Sequence, residues 1–344
     1  MKKPVLAGHS PEKTGYILKS VFGDKFPDFR ARQICKWIIQ GASSFSEMNN
    51  IPLSLRDDLA NAFNLFSSKP GLKITDKDGT VKIQIILEDN NKIEAVILHD
   101  GKGRKTACLS TQAGCAGACV FCKTGSLGFK RNLEAGEIIE EFLFMKSFDS
   151  DISHIVIMGM GEPLLNLDEL RKAITFFTEK DSIGISKRRI TLSTAGIADG
   201  IRDLADNGPD IRLAFSLTSA REELRRKLMP IALSNPLPLI KESLLHYQKK
   251  QKSRITLEAV LLSGINTSEE EARAMAEFAG GLDCVINLIP WNSVENLEFE
   301  NRLLVPPSPK ETALFATSLK NKKLNVTMRM GKGKNVSGAC GQLG

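Results

Sequence analysis

No stretch of the chain stays apolar long enough to cross a bilayer, and Met1-Lys2-Lys3-Pro4 leads into no signal-peptide core. A membrane partner is therefore not expected. Paired cysteines are lacking too: the seven present are an odd number, which argues against a secreted disulfide framework. The expected home is the cytoplasm, where thiolates stay reduced. The sequence shows no internal repeat and no low-complexity tract. What remains is a chain of 344 residues, 42% hydrophobic and 25% charged, able to bury one large domain and a smaller one.

One further absence is local. Gly114-Cys115-Ala116-Gly117-Ala118-Cys119-Val120-Phe121-Cys122 puts three of the seven cysteines in eight residues, spaced C-x3-C-x2-C, with no fourth close by. The others of interest are Cys108 just upstream and Cys284 and Cys340 far downstream. A structural zinc site closes its shell with four ligands. Cys115, Cys119 and Cys122 instead suit three corners of a cubane iron–sulfur cluster, leaving one iron open for chemistry. The small residues between them let backbone wrap an inorganic group and donate N–H bonds to its sulfurs.

Around this loop the pattern changes along the chain. Residues 1–68 read helical, with apolar positions at helical spacing from Asp28 to Gln40 and again from Pro52 to Phe66. Ser67-Ser68-Lys69-Pro70-Gly71 is a breaker cluster that marks a boundary. Residues 69–100 read as a β-hairpin extension, with runs at Leu72–Thr75, Val81–Leu87 and Lys92–Leu98 and a turn at Asp89-Asn90-Asn91. Glu94 lies in the last run, where an exposed charge on a polar face is the simplest reading. Residues 101–344 alternate short apolar strands with helices: Ala107–Thr111, His154–Gly159, Arg189–Thr194, Ile211–Leu217, Ile255–Leu261, Cys284–Ile289 and a final Leu324–Arg329. This is the signature of α/β architecture with a parallel sheet, here a barrel or partial barrel with its site at the strand C-terminal ends. Met158-Gly159-Met160-Gly161-Glu162-Pro163, Ser193-Thr194-Ala195-Gly196 and Ile289-Pro290-Trp291-Asn292 fall at such ends. With the cysteine loop they read as a cofactor pocket.

The formal charge is +7. Basic clusters recur at Lys102/Arg104/Lys105, Lys130/Arg131, Lys187/Arg188/Arg189, Arg221/Arg225/Arg226/Lys227, Lys249/Lys250/Lys252/Arg254 and Lys320/Lys322/Lys323. They support a polyanionic partner only weakly, since each alone is an ordinary solvated face.

From about Phe29 onward, the cysteine loop, Gly128–Leu133, Met158–Leu164, Ser186–Gly196, Asn287–Asn292 and Ala339-Cys340-Gly341-Gln342-Leu343 resemble the RlmN/Cfr family of radical-SAM RNA methyltransferases, the RlmN branch most closely. The resemblance implies a radical-SAM partial (β/α)6 barrel holding a 4Fe-4S cluster and S-adenosylmethionine. It implies an RNA substrate, an adenine of 23S ribosomal RNA and, in some members, of transfer RNA, methylated at C2. A small electron donor such as flavodoxin or ferredoxin is implied as well. By resemblance Cys340 carries the methyl group, Cys108 resolves the adduct with formation of a Cys108–Cys340 disulfide, and Glu94 accepts a proton. Cofactor contacts carry over to Gly161, Glu162, Ser193, Ser216, Leu217, Thr218 and Asn292. Two departures stand out. Thr218 occupies a position where the family usually has histidine, and Gly331-Lys332-Gly333-Lys334-Asn335 replaces an acidic stretch before Cys340. C8 methylation of the Cfr type, a radical-SAM enzyme of another class and a non-catalytic, zinc-bearing RNA-binding protein are the alternatives.

Overall fold

The computed structural model describes residues 3–329 and 331–344; Met1, Lys2 and Met330 lie outside them. Three helices come first: α1 (Pro11–Phe22), α2 (Asp28–Ile39) and α3 (Leu53–Ala62). The Ser10 side chain caps α1 by accepting from the Lys13 N–H, with Pro11 in the first turn where its missing N–H costs nothing. Their inner residues, among them Leu18, Ile34, Ile38 and Leu59, belong to the same apolar cluster as the sheet core. The Ser67-Ser68 breaker is gripped by buried Glu140, which accepts the Ser67 N–H at 2.6 Å and the Ser68 N–H at 2.8 Å.

A ten-stranded sheet follows. Its first part is antiparallel: β1 (Lys69–Thr75), β2 (Val81–Ile86) and β3 (Lys92–His99). Strand β3 pairs antiparallel with β4 (Lys105–Leu109), so the extension is hydrogen-bonded into the main sheet. Two three- to four-residue strands then bracket the cysteine loop: β5 (Gln112–Gly114) and β6 (Phe129–Asn132), with the short α4 (Lys123–Ser126) between them. These are too short to carry a period, so the sequence does not disclose them. A side chain at Gly114, φ +74°, would meet the Gly128 carbonyl at 1.8 Å, so only glycine allows this crossing.

The α/β part runs α5 (Ala135–Phe148), β7 (Ile152–Ile157), α6 (Leu167–Thr178), β8 (Ile190–Thr194), α7 (Ala198–Asn207), β9 (Arg212–Ser216), α8 (Glu222–Leu228), α9 (Leu237–Gln251), β10 (Ile255–Leu261), α10 (Glu269–Ala279) and β11 (Cys284–Pro290). A two-residue pair, β12 (Glu298–Phe299) and β13 (Arg302–Leu303), precedes α11 (Pro309–Asn321) and β14 (Val326–Met328). Strands β4, β7, β8, β9, β10, β11 and β14 lie side by side in that order, each pair parallel. Among the described residues the sheet ends in β1 and β14, which do not pair, so the barrel is partial as expected. Buried runs such as Leu213-Ala214-Phe215 and Leu257, Ala259 and Leu261 explain the parallel pairing, because helices cover what water cannot. Serine caps at Ser268 and Ser308 start α10 and α11 where the sequence changes period.

Candidate active site

The cysteine loop leaves β5 at Gly114 and enters α4 at Cys122. Three anchors fix it: the Val120 N–H donates to the Leu228 carbonyl (3.0 Å), Trp291 Nε1 donates to the Phe121 carbonyl (2.8 Å), and the Cys115 N–H donates to the Gly128 carbonyl (3.1 Å). A small apolar cluster of Phe121, Leu228, Met229, Leu262, Trp291 and Leu304 packs against it. The Gly117 N–H points at Cys115 Sγ (3.2 Å), and a Cβ there would lie 3.3 Å from that sulfur and 3.7 Å from Cys119 Sγ. Cys115, Cys119 and Cys122 all line one cavity at the strand C-terminal ends. Burial pushes the Cys115 thiol up to about 11 and the Cys119 thiol well above its ordinary value, so a metal that removes their protons is the natural way to populate the thiolates. Among the described residues no three His, Cys, Asp or Glu side chains gather tightly enough for a single metal ion. Three thiols that line one cavity from a loop of small residues suit the corners of a cluster, and the residues present fit one.

Across the cavity stand the strand-end residues. Gly161, φ +106°, passes so close to Gln112 that a Cβ would lie 2.6 Å from it. The Glu162 carboxylate accepts from Thr194 Oγ1 (2.7 Å), the Ala195 N–H (2.7 Å) and the Leu164 N–H (3.1 Å). Burial raises its pKa, and those donors oppose the rise. Ser193 and Ser216 face each other at 3.2 Å from β8 and β9. Thr218 sits in the left-handed region at φ 55°, unusual for a β-branched residue, and its buried hydroxyl has no partner among the described residues while Thr218 lines the cavity. The Leu217 side chain is fully buried in the core, its N–H donates to the Phe215 carbonyl (2.9 Å), and its carbonyl accepts from Arg225 and from the Ser219 N–H (2.6 Å).

Asn292 faces a second, adjoining cavity with Cys108, Cys340 and Arg329. Its Nδ2 donates to the Cys340 carbonyl (3.2 Å), and its Oδ1 is buried without a partner among the described residues. Cys340 lines both cavities. All seven cysteines are free thiols, so the disulfide implied by the resemblance is not formed here; Cys108 and Cys340 face one another's cavity in reduced form. Burial raises both thiols, and the Arg329 guanidinium pulls both the other way. Glu94 is buried and lines neither cavity. It pairs with Lys82 Nζ at 2.9 Å and accepts the Gly344 N–H at 2.9 Å, because β2 supplies a lysine on the same face.

The segment before Cys340 reads as loose from its glycines and lysines, yet it is tied down. The Gly333 N–H donates to Asp78 (3.0 Å), and Asn335 gives Asp76 its backbone N–H (3.2 Å) and its amide (2.9 Å). The acids absent from the tail thus sit opposite it, on the β1–β2 turn. Beyond Cys340, the Lys123 N–H donates to the Gly341 carbonyl and Thr124 to the Leu343 carbonyl.

Three charged side chains at the site went unrecognised in the sequence. Arg225, counted there among basic surface residues, is fully buried and donates to the Ser216, Leu217 and Ala195 carbonyls. It cannot meet RNA. Nothing in the run of charges around it distinguishes it. Glu258 and Arg329 line the cavities from β10 and just past β14. An acid in the apolar run Ile255–Leu261 was a readable signal for the first.

Residues 109–279 match the radical SAM superfamily, and residues 21–65 match the ribosomal RNA large subunit methyltransferase N-terminal domain. The probable dual-specificity RNA methyltransferase RlmN of Treponema denticola is 47% identical over 99% of this chain and 96% of its own length. The protein of that name from Clostridioides difficile is 39% identical over 99% and 98%. A radical SAM methyltransferase from Sphaerobacter thermophilus, known as a crystal structure, superposes with a TM-score of 0.91 at 32% identity over 99% of both chains.

Proposed function

Because the chain belongs to the RlmN family of radical-SAM RNA methyltransferases, we propose that it methylates C2 of an adenine in 23S ribosomal RNA, and in transfer RNA, through a methyl-cysteine. Its cofactors are a 4Fe-4S cluster and S-adenosylmethionine, and catalysis rules out the reading as an inert metal-bearing RNA binder. The observation that carries the proposal is the pair of free thiols, Cys108 and Cys340, on one small cavity that adjoins the cavity of the three cluster cysteines. Adenine C2 is an electron-poor amidine carbon and does not attack a sulfonium methyl. When bound, the cluster and S-adenosylmethionine supply the one-electron chemistry that such a carbon demands.

The chain's residues have these roles. Cys115, Cys119 and Cys122 hold the cluster. Gly161, Glu162, Ser193, Ser216, Thr218 and Asn292, with the Leu217 backbone, hold S-adenosylmethionine. Cys340 takes a methyl group from one S-adenosylmethionine; with the help of a second, that methyl loses a hydrogen and its carbon bonds to C2 while still held by the Cys340 sulfur. Cys108 then attacks that sulfur and breaks its bond to the new carbon, which keeps the electron pair and takes up a proton; this frees the methylated base and leaves a Cys108–Cys340 disulfide. Glu94 accepts the C2 proton, which requires the Gly344 contact to give way. A flavodoxin- or ferredoxin-like protein delivers the electrons.

Reconstituted enzyme, reductant, S-adenosylmethionine and unmodified ribosomal or transfer RNA, followed by nucleoside mass spectrometry, test this. The expected product is 2-methyladenosine. If only 8-methyladenosine appears, the position is wrong; if no methylated adenosine appears from an enzyme that cleaves the cofactor, so is the substrate.

A further inference from the structure

The antiparallel part of the sheet carries one largely buried ion pair, Lys82 on β2 with Glu94 on β3. Lys82 Nζ lies 2.9 Å from Glu94 Oε1, and the two side chains are only 13% and 11% exposed. Glu94 is the only ion-pair partner of Lys82 among the described residues. Taking both charges out of water is costly, and a well-packed apolar pair in their place would serve stability as well or better. Stability alone therefore does not account for the lysine.

The pair shares a sheet face with the resolving thiol. Lys82 pairs in register with Val96 of β3, and Val96 with Cys108 of β4, so the three side chains form one row. Glu94, two residues before Val96, stands on that same face. Its backbone is fixed from two sides: Ser110 Oγ donates to the Glu94 carbonyl (2.7 Å), and the Glu94 N–H reaches Met160 Sδ (3.3 Å). Rotation of the side chain is the freedom that remains, and Lys82 removes it. The two carboxylate oxygens are held unequally. Oε1 meets an ammonium rooted in the sheet, whereas Oε2 accepts the N–H of Gly344, on the segment that also bears Cys340.

We propose that Lys82 is the positioning residue for the proton acceptor. It keeps Oε1 and so presents Oε2 to the C2–H of the Cys340-bound base once the Gly344 contact gives way. This rests on the reading of Glu94 as the acceptor of that proton. In the step the C2–H bond breaks and an Oε2–H bond forms. The electron pair of the C–H bond stays in the ring, and the adduct's unpaired electron leaves by the cofactor's one-electron chemistry. Only after this loss can Cys108 release the base.

The test follows single turnovers of reconstituted enzyme with reductant, S-adenosylmethionine and an unmodified ribosomal RNA fragment, and with the same RNA carrying deuterium at C2 of its adenines. Lys82→Met, Lys82→Arg, Glu94→Gln and the double variant Lys82→Met/Glu94→Gln are compared with wild type, with cluster absorbance and melting as checks on folding. Lys82→Met should release 2-methyladenosine roughly 10–100-fold more slowly, the loss that misplacing a reacting group brings. Its RNA affinity should hold while covalent RNA builds up on the enzyme. Lys82→Arg should recover most of the rate, since it restores a cation to Oε1. Deuterium should slow Lys82→Met more than wild type, and removing Lys82 from Glu94→Gln should cost nothing further.

A folded Lys82→Met that releases product as wild type does, or an equal loss in the Glu94→Gln background, overturns the proposal and leaves the reading of Glu94 standing. A loss confined to RNA affinity would make Lys82 a phosphate contact and overturn it too. Glu94→Gln working at the wild-type rate overturns the reading of Glu94, and this role of Lys82 with it. A wild type that cleaves S-adenosylmethionine but methylates no RNA overturns the methyltransferase reading on which both depend.

Discussion

Cys340 and Cys108 should fail differently. Cys340→Ala keeps the cluster cysteines and the cofactor cavity but has no sulfur to carry a methyl group, so its RNA stays free and unmodified. Cys108→Ala can load Cys340 and couple it to the base, yet has no thiolate to release the product. Purified Cys108→Ala should therefore carry covalent RNA, read as a nuclease-sensitive mass shift absent from Cys340→Ala. Continued turnover by Cys108→Ala without an adduct would mean the two thiols are misassigned. At this scale the cysteines were legible because chemistry fixes their spacing. The buried charges were not. Whether an arginine such as Arg225 points into the core or into water depends on how its helix packs, and Arg221, Arg226 and Lys227 beside it look the same in the sequence.

The elements carry two contacts that join distant parts of the chain. The β1–β2 turn holds the tail through Asp76 and Asp78. Although burial pulls Asp78 up, the Gly333 and Thr80 N–H bonds bring its carboxyl below the ordinary range. Asp76→Ala combined with Asp78→Ala frees the segment around Lys332 and Lys334, each hydrogen bond being worth about 1 kcal/mol. Limited trypsin digestion should cut there several-fold faster in the double variant; equal rates would show that the clasp contributes nothing. The second contact is Arg131 on β6, which donates through Nε to Asp89 of the β2–β3 turn (2.5 Å) and through both Nη atoms to Glu137 of α5 (2.7 Å each). The Arg131 hydrogen bond holds the Asp89 carboxyl well below the usual carboxylate range. A depressed acid stabilises the fold fully above its unfolded value near 3.8 and loses that contribution as pH falls through its folded value. Because Asp89 is 40% exposed, screening limits Asp89→Asn to about 0.5 kcal/mol at pH 7. Urea unfolding should show this gap closing as pH drops below 4, and a gap that persists would reject the ion pair as its cause. Strands and helices longer than about five residues were readable from their periods. The pair β5 and β6 was not, since a crossing of glycine backbones leaves no hydrophobic pattern.

Across the whole molecule the sequence showed a charge excess, but folding decides which charges remain free. Lys105 pairs with Asp149 and Asp151, Arg131 with Asp89 and Glu137, and Arg254 with Asp283. Lys187, Arg188 and Arg189 stay exposed beside the start of β8, with no ion pair among the described residues. They are the better candidates for phosphate contacts. Reversing Lys187 and Arg188 to glutamate should weaken RNA binding across sequences and flatten the plot of log affinity against log salt by roughly one unit per lost contact. An unchanged slope in filter binding would remove this face from the interface. No helix among the described residues is long and apolar enough to cross a membrane.

The strap from Gly331 to Gly344 walls both cavities and bears the Cys340 sulfur. On the proposed mechanism, a door that holds the reagent could not swing open without taking the reagent away. Cofactor exchange that required the strap to lift would then suspend the transfer, so the two proposed cofactor visits would follow in a fixed order with no separate gatekeeper.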